Sequence, residues 1–342
     1  MTETRAVAVI IPYYQTEPGI LARALRGVLA QQLPADLSLK VHIVDDASPH
    51  PAGAELAAHP ELADLDLVLT EQANAGPGSA RNTALDLALA SDQTRFVAFL
   101  DSDDIWRPDH IADAVAALDQ GYDFYSCDNA RPGTYDLFSE HIPLLTDGGS
   151  GLADRSVVVD PDGPVRGFAP RELSDDAATS YLSHTSTVVL RADAVRRIRF
   201  DPDLRNAGED RMFWLNVALS DARIALSWRV NVDCGRGVNL FFSAYDWNSN
   251  STLDRFGSEL LFAEKLMRQS ALSEKKKEFA QSRAARSRRA YSFLFIRMLV
   301  RLQRPSLRMF RQLLRFDPFL PFRMPPLFLS VFLDRRPAGE RL

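Results

Sequence analysis

Cysteine is nearly absent: the 342 residues hold two, Cys127 and Cys234. That excludes a disulfide framework and a cysteine-rich metal cluster, and it is compatible with a reducing compartment. Long apolar runs are missing as well. The first run, residues 7–11, follows Met-Thr-Glu-Thr-Arg directly, is too short to span a bilayer and has no signal-like cleavage region beside it. Asn250-Ser-Thr252 has the form of a glycosylation sequon, but without a secretory signal it counts as chance. These absences set the expectation of a cytoplasmic protein; no nucleic-acid partner is expected. What is present is ordinary: 46% hydrophobic and 25% charged residues, as in a soluble globular protein of one large or two modest domains.

The charge is unevenly placed. Residues 1–254 carry 20 Lys/Arg against 38 Asp/Glu, a net of −18, and residues 255–342 carry 20 against 7, a net of +13. An acidic body joined to a basic tail implies a boundary near Leu253 and a tail surface for anionic partners.

The first 105 residues alternate in pattern. The run at 7–11 reads as a buried strand stopped by Pro12. Ile20, Leu21, Leu25, Val28 and Leu29 recur at helical spacing. Strands are expected over 39–44, 65–69 and 96–100, and helices over 52–58, 79–90 and 108–118, with Pro108 at a helix start. This order calls for a mostly parallel sheet covered by helices, with ligands bound beyond the carboxyl ends of its strands. Those ends carry Tyr13 and Tyr14, Asp45 and Asp46, Asn74 and Arg81, and Asp101 and Asp103.

The most telling end is Phe99-Leu-Asp-Ser-Asp-Asp104. A buried strand that delivers three carboxylates needs a cation or raised pKa values there. Such an Asp-x-Asp reads as a site for Mg2+ or Mn2+ carrying phosphate oxygens. The alternative is an acidic turn in which Asp103 or Asp104 caps the next helix.

Beyond residue 120 the pattern loosens. Residues 131–176, rich in Gly, Pro, Asp and Ser, read as a loop over the site or an insertion. Strands are expected near 122–127, 186–190 and 222–230, and helices near 192–199 and 212–219. Residues 234–248 combine two glycines with Arg236 and aromatics. They form either a closing loop packed by its own rings or a lid that reaches phosphates with Arg236 and stacks a sugar on Tyr245 or Trp247. A helix over 253–272, a basic helix over 279–302 and an apolar segment over 316–333 complete the chain. The prolines and Arg323 of that segment argue against a clean spanning helix. Residues 273–333 fit either a surface-lying anchor on an anionic membrane or a packing domain with a solvated basic face.

Five motifs in order, Val9-Ile-Ile-Pro-Tyr-Tyr14, Ile43-Val-Asp-Asp-Ala-Ser48, Asn74-x-Gly-x-x-x-Ala-Arg-Asn82, Phe99-Leu-Asp-Ser-Asp-Asp104 and Gly208-Glu-Asp210, resemble those of the family 2 inverting glycosyltransferases with the GT-A fold. The resemblance covers roughly residues 6–232 and leaves out the tail. It implies an α/β GT-A fold: a mostly parallel nucleotide-binding sheet flanked by helices, followed by a helical basic C-terminal extension. The expected domains are 1–253, with a nucleotide-binding half at 1–120 and an acceptor half at 121–253, and then 254–342.

The resemblance also implies roles. Pro12 and Tyr13 border the base, which an aromatic ring can stack on. Asp45 bonds the base or ribose, Asn74 and Gly76 form a turn at the donor, and Arg81 reaches the diphosphate. Asp103 holds the metal, and Asp101 the metal or ribose. Asp210 is the general base toward the acceptor hydroxyl, Glu209 its neighbour at the acceptor, and Trp214 lines the acceptor site. His184 faces donor or acceptor, or has an ordinary polar role. A nucleoside diphosphate sugar donor, a saccharide acceptor and envelope or exopolysaccharide synthesis follow by the same resemblance; a lipid-linked acceptor and a place at the inner face of the cytoplasmic membrane follow if residues 273–333 are a membrane anchor.

Three rivals stand beside this reading. A sugar-nucleotide nucleotidyltransferase would want a glycine-rich, cationic loop after the first strand, where Pro12-Tyr-Tyr-Gln-Thr-Glu17 stands instead. A dinucleotide-binding dehydrogenase would want a third glycine after Gly76 and Gly78. A non-catalytic carbohydrate-binding or scaffold protein would need no pairing of Asp103 with Asp210.

Overall fold

A computed structural model describes residues 4–160, 164–205, 207–235 and 249–333. Two compact units are distinguished: Met1–Phe200 with Phe213–Val238, and Asp201–Met212 with Asn239–Leu342. The chain begins β1 (Arg5–Tyr13), α1 (Ile20–Leu29), β2 (Leu37–Asp45), α2 (Ala52–Ala58), β3 (Leu67–Glu71), α3 (Pro77–Leu89) and β4 (Thr94–Phe99). It continues with β5 (Ile105–Trp106), α4 (His110–Leu118), β6 (Phe124–Ala130), α5 (Thr146–Gly149), β7 (Val157–Asp160), β8 (Val165–Phe168) and α6 (Ser174–Thr179). Then follow β9 (Val188–Arg191), α7 (Ala192–Val195), α8 (Glu209–Leu219) and β10 (Ile224–Asp233). The tail is α9 (Asn250–Met267), α10 (Glu274–Val300), α11 (Leu307–Phe316) and α12 (Leu320–Leu333).

The described strands form one sheet in the order β3-β2-β1-β4-β9-β6-β10-β8-β7, with β5 on β10. β1 to β4 pair in parallel, so their carboxyl ends share one edge. β1 is apolar on both faces because both are covered. Val7, Val9 and Ile11 join α1 and α4 in one core cluster. The alternate residues Ala8 and Ile10 are also buried, and α3 packs on the same strand.

Pro12 does not end β1, contrary to the sequence expectation. Its register with β4 closes at Ile10↔Phe99, so the missing N–H of Pro12 breaks no rung on that side. The stretch expected as a loop over 131–176 is also partly ordered. β7 and β8 form an antiparallel pair, and β8 extends the sheet on β10.

His110, fully buried at the start of α4, carries a pH liability. Its ring lies 4.7 Å from Trp106, its Nδ1 3.5 Å from Cys127 Sγ, and its Nε2 has no hydrogen-bond partner. Burial pushes it down to about 3. The folded chain keeps it neutral, whereas the unfolded chain protonates it below about 6.5. Stability is therefore complete above that value and falls as the pH drops toward 3, by about 2 kcal/mol at pH 5. Urea midpoints at pH 7 and pH 5 are expected to differ in the native chain and to converge in His110→Phe. An equal drop in both would remove His110 as the cause.

In the second unit α9 and α10 pack along each other, α12 on α10, and α11 on α9. Gly257 permits the last approach: a Cβ there would lie 2.3 Å from Met309 Cγ and 3.1 Å from the Tyr291 ring. The sequence pattern marks no element over 303–315, yet α11 takes up most of that stretch. Part of the basic tail is internally neutralised. Lys265 bonds Asp201 and Asp203 at 2.7 and 2.8 Å, and Arg288 bridges Glu264 and Asp317. Among the described residues no helix is long and apolar enough to cross a membrane. Asn250, the first residue of the sequon, uses its side chain locally: Nδ2 donates to Arg304 O and Oδ1 accepts from Ser306 N.

Candidate active site

The shared strand edge gathers the polar residues, and each is tied to the loop that presents it. Asp45, at the end of β2, accepts from the N–H groups of Ser48 and Ala52, both at 2.8 Å, and so sets the turn into α2. Asp46 accepts from Gln72 Nε2 and from the N–H groups of Ala75 and Gly76. Asn74, exposed, returns a bond from Nδ2 to Asp46 O at 2.8 Å. Gly76 has φ +94°, a left-handed backbone that suits glycine, and α3 starts directly after it. Asp46, not singled out as a site residue from sequence, is thus what shapes the Asn74–Gly76 turn.

Tyr13 departs from expectation. Its ring is fully buried and its hydroxyl donates to Glu55 Oε2 at 3.3 Å, so it offers no face for a base to stack on. The cause is strand alternation: Tyr13 continues the inward series Val7, Val9, Ile11. Pro12 is half-buried beside it, and Tyr14 is the exposed ring, at 37%.

The three carboxylates after β4 are not equivalent. The turn closes by Asp104 N–H donating to Asp101 O at 3.0 Å. Asp101 takes the Arg81 guanidinium at 2.6 Å, and its side chain remains 26% exposed. Burial alone would push its carboxyl up, but Arg81, with His184 and Arg131, holds it below the ordinary range. Asp103 is half-buried. Asp104 is 1% exposed; its Oδ1 accepts from Gly235 N–H at 2.8 Å and its Oδ2 from the Ser186 hydroxyl at 2.5 Å. It is not a helix cap: β5 intervenes, and the residue before α4 is Asp109. Burial, with the Asp103 and Asp101 charges, pushes Asp104 up.

Ser186 also accepts Trp106 Nε1–H on its carbonyl at 2.7 Å and donates nothing to solvent, sitting at 0% exposure. Gly235 is required by closeness: an added Cβ would fall 1.7 Å from the Asp103 carbonyl oxygen. Neither residue was a candidate from sequence, because their role exists only through partners remote in the chain.

Residues 8–145 match the family model described as Glycosyl transferase family 2. The chain is 36% identical over 242 residues to the succinoglycan biosynthesis protein ExoW of Rhizobium meliloti (strain 1021), which covers 69% of this chain and 71% of that protein. It belongs to glycosyltransferase family 2. Among solved structures, Staphylococcus aureus (S. aureus) TarS 1–349 in complex with UDP-GlcNAc shares the fold at TM-score 0.55 and 20% identity, over 96% of this chain and 85% of that one. Mannosyltransferase PcManGT from Pyrobaculum calidifontis, in complex with GDP-Man and Mn2+, does so at 0.52 and 18%, over 97% and 86%. The α/β GT-A architecture is therefore that of the family, with the C-terminal helices added.

In this glycosyltransferase His184 lies beneath the acidic turn. Its Nδ1 is 3.5 Å from Asp104 Oδ2 and 3.8 Å from Cys234 Sγ. Burial opposes its protonation, but Cys234 and the Asp104 and Asp101 carboxylates outweigh it and raise its pKa. Asp104, His184 and Cys234 place their ligand atoms within 4.8 Å of one another. A hard divalent ion fits the outer pair better. Asp101 and Asp103 offer carboxylate oxygens with partial solvent access, whereas the inner trio includes a soft thiol and a carboxylate already engaged by two donors.

The remaining sites divide. Glu209 and Asp210 open α8 and belong to the second unit; Glu209 is 9% exposed, and Asp210 Oδ1 accepts from Arg211 N–H at 2.7 Å. Trp214 is not a lining residue. It is 4% exposed and packs edge-on to Phe99, Phe124 and Phe213 at 5.2–5.7 Å, because its side of α8 closes the core against β4 and β6. Arg236, Tyr245 and Trp247 lie outside the described residues.

Proposed function

We propose that this glycosyltransferase is metal-dependent and inverting, and that it moves a sugar from a nucleoside diphosphate sugar to a saccharide or lipid-linked saccharide in polysaccharide synthesis. The observation that carries the reading is the turn after β4. It holds Asp101 and Asp103 half-open at the ligand edge of the sheet, while Asp104 is sealed by Ser186 and Gly235. ExoW is named for succinoglycan biosynthesis, and the two structural neighbours hold a nucleoside diphosphate sugar, one with Mn2+. Residues 1–120 serve the donor, 121–253 the acceptor, and 254–342 the membrane side, at the cytoplasmic face of an anionic membrane.

Asp103, with Asp101, would hold Mg2+ or Mn2+, which supplies positive charge for the departing diphosphate. Arg81 adds a second positive charge from the start of α3, locked to Asp101 at 2.6 Å. The Asn74–Gly76 turn brings backbone close to the donor, and Asp45 accepts from base or ribose. Asp210 takes the proton of the attacking hydroxyl while Glu209 contacts the acceptor. His184 orients the turn from below through Asp104.

The reading is tested with a panel of UDP- and GDP-sugars, with and without saccharide acceptors. Nucleoside diphosphate release is expected with Mg2+ or Mn2+ and is expected to stop on adding EDTA. Proton NMR of the product is expected to show an anomeric configuration opposite to the donor's. Release that persists unchanged in EDTA, or a product with retained configuration, would overturn it.

A further inference from the structure

α12 is apolar on both of its sides. Leu320, Met324 and Val331 are buried at 0, 4 and 6% exposure, and Phe328 stacks on Phe293 of α10 at 5.6 Å. The opposite side is just as apolar. Phe322, Leu329, Phe332 and Leu333 are 78, 59, 63 and 81% exposed, with Pro325 and Pro326 exposed between them. Spacings of three, four and seven place these residues on one helical stripe. Phe319, in the turn before the helix, extends it at 64% exposure. A helix apolar all round belongs in an interior, and a contiguous exposed apolar face marks a surface that meets something.

The surrounding charge identifies the partner. Residues 301–333 hold six arginines and one acid, Asp317. Asp317 is 6% exposed and already taken by Arg288 and Arg323. On α11, Arg308, Arg311 and Arg315 lie exposed at spacings of three and four, while Met309 and Leu313 are buried on its other side. Only residues 317–319 separate α11 from α12.

We propose that the exposed stripe of α12, with the arginines of α11, docks this enzyme on an anionic phospholipid surface. The inference rests on the proposed membrane-side acceptor only for why docking would serve the reaction. The chemistry matches both layers of such a surface: Phe and Leu enter the acyl boundary, and guanidinium groups meet headgroup phosphates. At 14 residues the helix is about 21 Å long, too short to span, so it lies in the plane of the interface. A second copy of the chain is a poorer occupant, because each copy would bring its own arginines against the other's. The following residues 334–342 are also a poor cover, with five charged side chains and one large apolar one, Leu342. The membrane contact is thus assigned to 307–333 rather than to the whole of 273–333.

The test is co-sedimentation of the full chain with phosphatidylcholine vesicles, with and without phosphatidylglycerol. Binding is expected to the anionic vesicles and to weaken as salt is raised. A Leu329→Ser/Phe332→Ser variant is expected to bind about tenfold or more weakly. An Arg308→Gln/Arg311→Gln/Arg315→Gln variant is expected to lose the preference for phosphatidylglycerol. Every substituted side chain is exposed, Phe332 also resting its ring on Phe328 and Phe293, and release of nucleoside diphosphate from a donor in solution is expected to be the same in both variants as in the native chain. That assay separates a failed transferase reading from failed docking. No binding of the native chain to anionic vesicles, or equal binding by the Leu329/Phe332 variant, would overturn the proposal. So would a concentration-dependent dimer that the Leu329/Phe332 variant abolishes while vesicles are ignored.

Discussion

Asp103→Asn is expected to lower sugar transfer by roughly 10³-fold, the scale on which a preorganised charge at a leaving group acts. The substitution keeps the shape of the side chain and removes its charge. The turn has supports other than that charge. It is closed by the Asp104–Asp101 backbone bond at 3.0 Å and braced by Asp104 on Gly235 and Ser186. Thermal unfolding should therefore hardly move while turnover collapses. The same variant should need far more Mn2+ to reach half its residual rate, since a neutral amide oxygen replaces an anionic one as ligand. Initial rates of nucleoside diphosphate release across a Mn2+ titration, with a melting curve beside them, measure both. A variant with near-native rate and an unchanged metal requirement would place the metal on other residues.

The fold was legible in the sequence wherever one stretch decided its own fate. β1 through β4 are apolar runs closed by turn residues, and their parallel order follows from the helices between them. α2 is bounded by Pro51 in an extended conformation, and the pattern marked it at both ends. Legibility failed where partners come from far along the chain. Asp104 looks like its two neighbours in sequence, yet it is bonded to Ser186 and Gly235, 82 and 131 residues away, and so it alone is sealed. Tyr13 illustrates a one-residue problem. Had β1 ended at Pro12, Tyr13 would be free to turn outward. Because the strand continues, alternation commits the ring to the core.

Trp214 departs from its sequence expectation for a related reason. One aromatic a turn after an acidic pair suggests a residue lining the acceptor site, but Phe99 and Phe124 arrive from two strands and, with the adjacent Phe213, enclose it. β7 and β8 escaped because strands of four residues barely exceed the noise of a Gly- and Pro-rich stretch. The tail shows the opposite effect. Its charge excess was plain, but only packing reveals that Arg288 and Lys265 are consumed by Glu264, Asp317, Asp201 and Asp203, while Arg308, Arg311 and Arg315 of α11 stay exposed.

Asp210→Asn is expected to reduce kcat by about 10²–10⁴-fold, the range for removal of a general base. The effect should differ in kind from that of Asp103→Asn. Donor binding is assigned to Asp45, Asn74, Gly76, Arg81, Asp101 and Asp103, and Asp210 is not among them. The donor KM and the affinity for nucleoside diphosphate with Mn2+ should therefore stay within a few-fold of native, a loss confined to the transition state. Asparagine can still accept the Arg211 N–H that Asp210 Oδ1 accepts at 2.7 Å, so the first turn of α8 should keep its form. Glu209 supplies the internal comparison. It is adjacent but 9% exposed, and Glu209→Gln should cost less in kcat and more in acceptor KM. If instead Glu209→Gln carries the large fall in kcat and Asp210→Asn turns over normally, the two roles are exchanged and the base is Glu209. If both variants keep native kcat, the proton of the acceptor hydroxyl leaves by another group, and the Gly208-Glu-Asp210 motif is only the start of a helix.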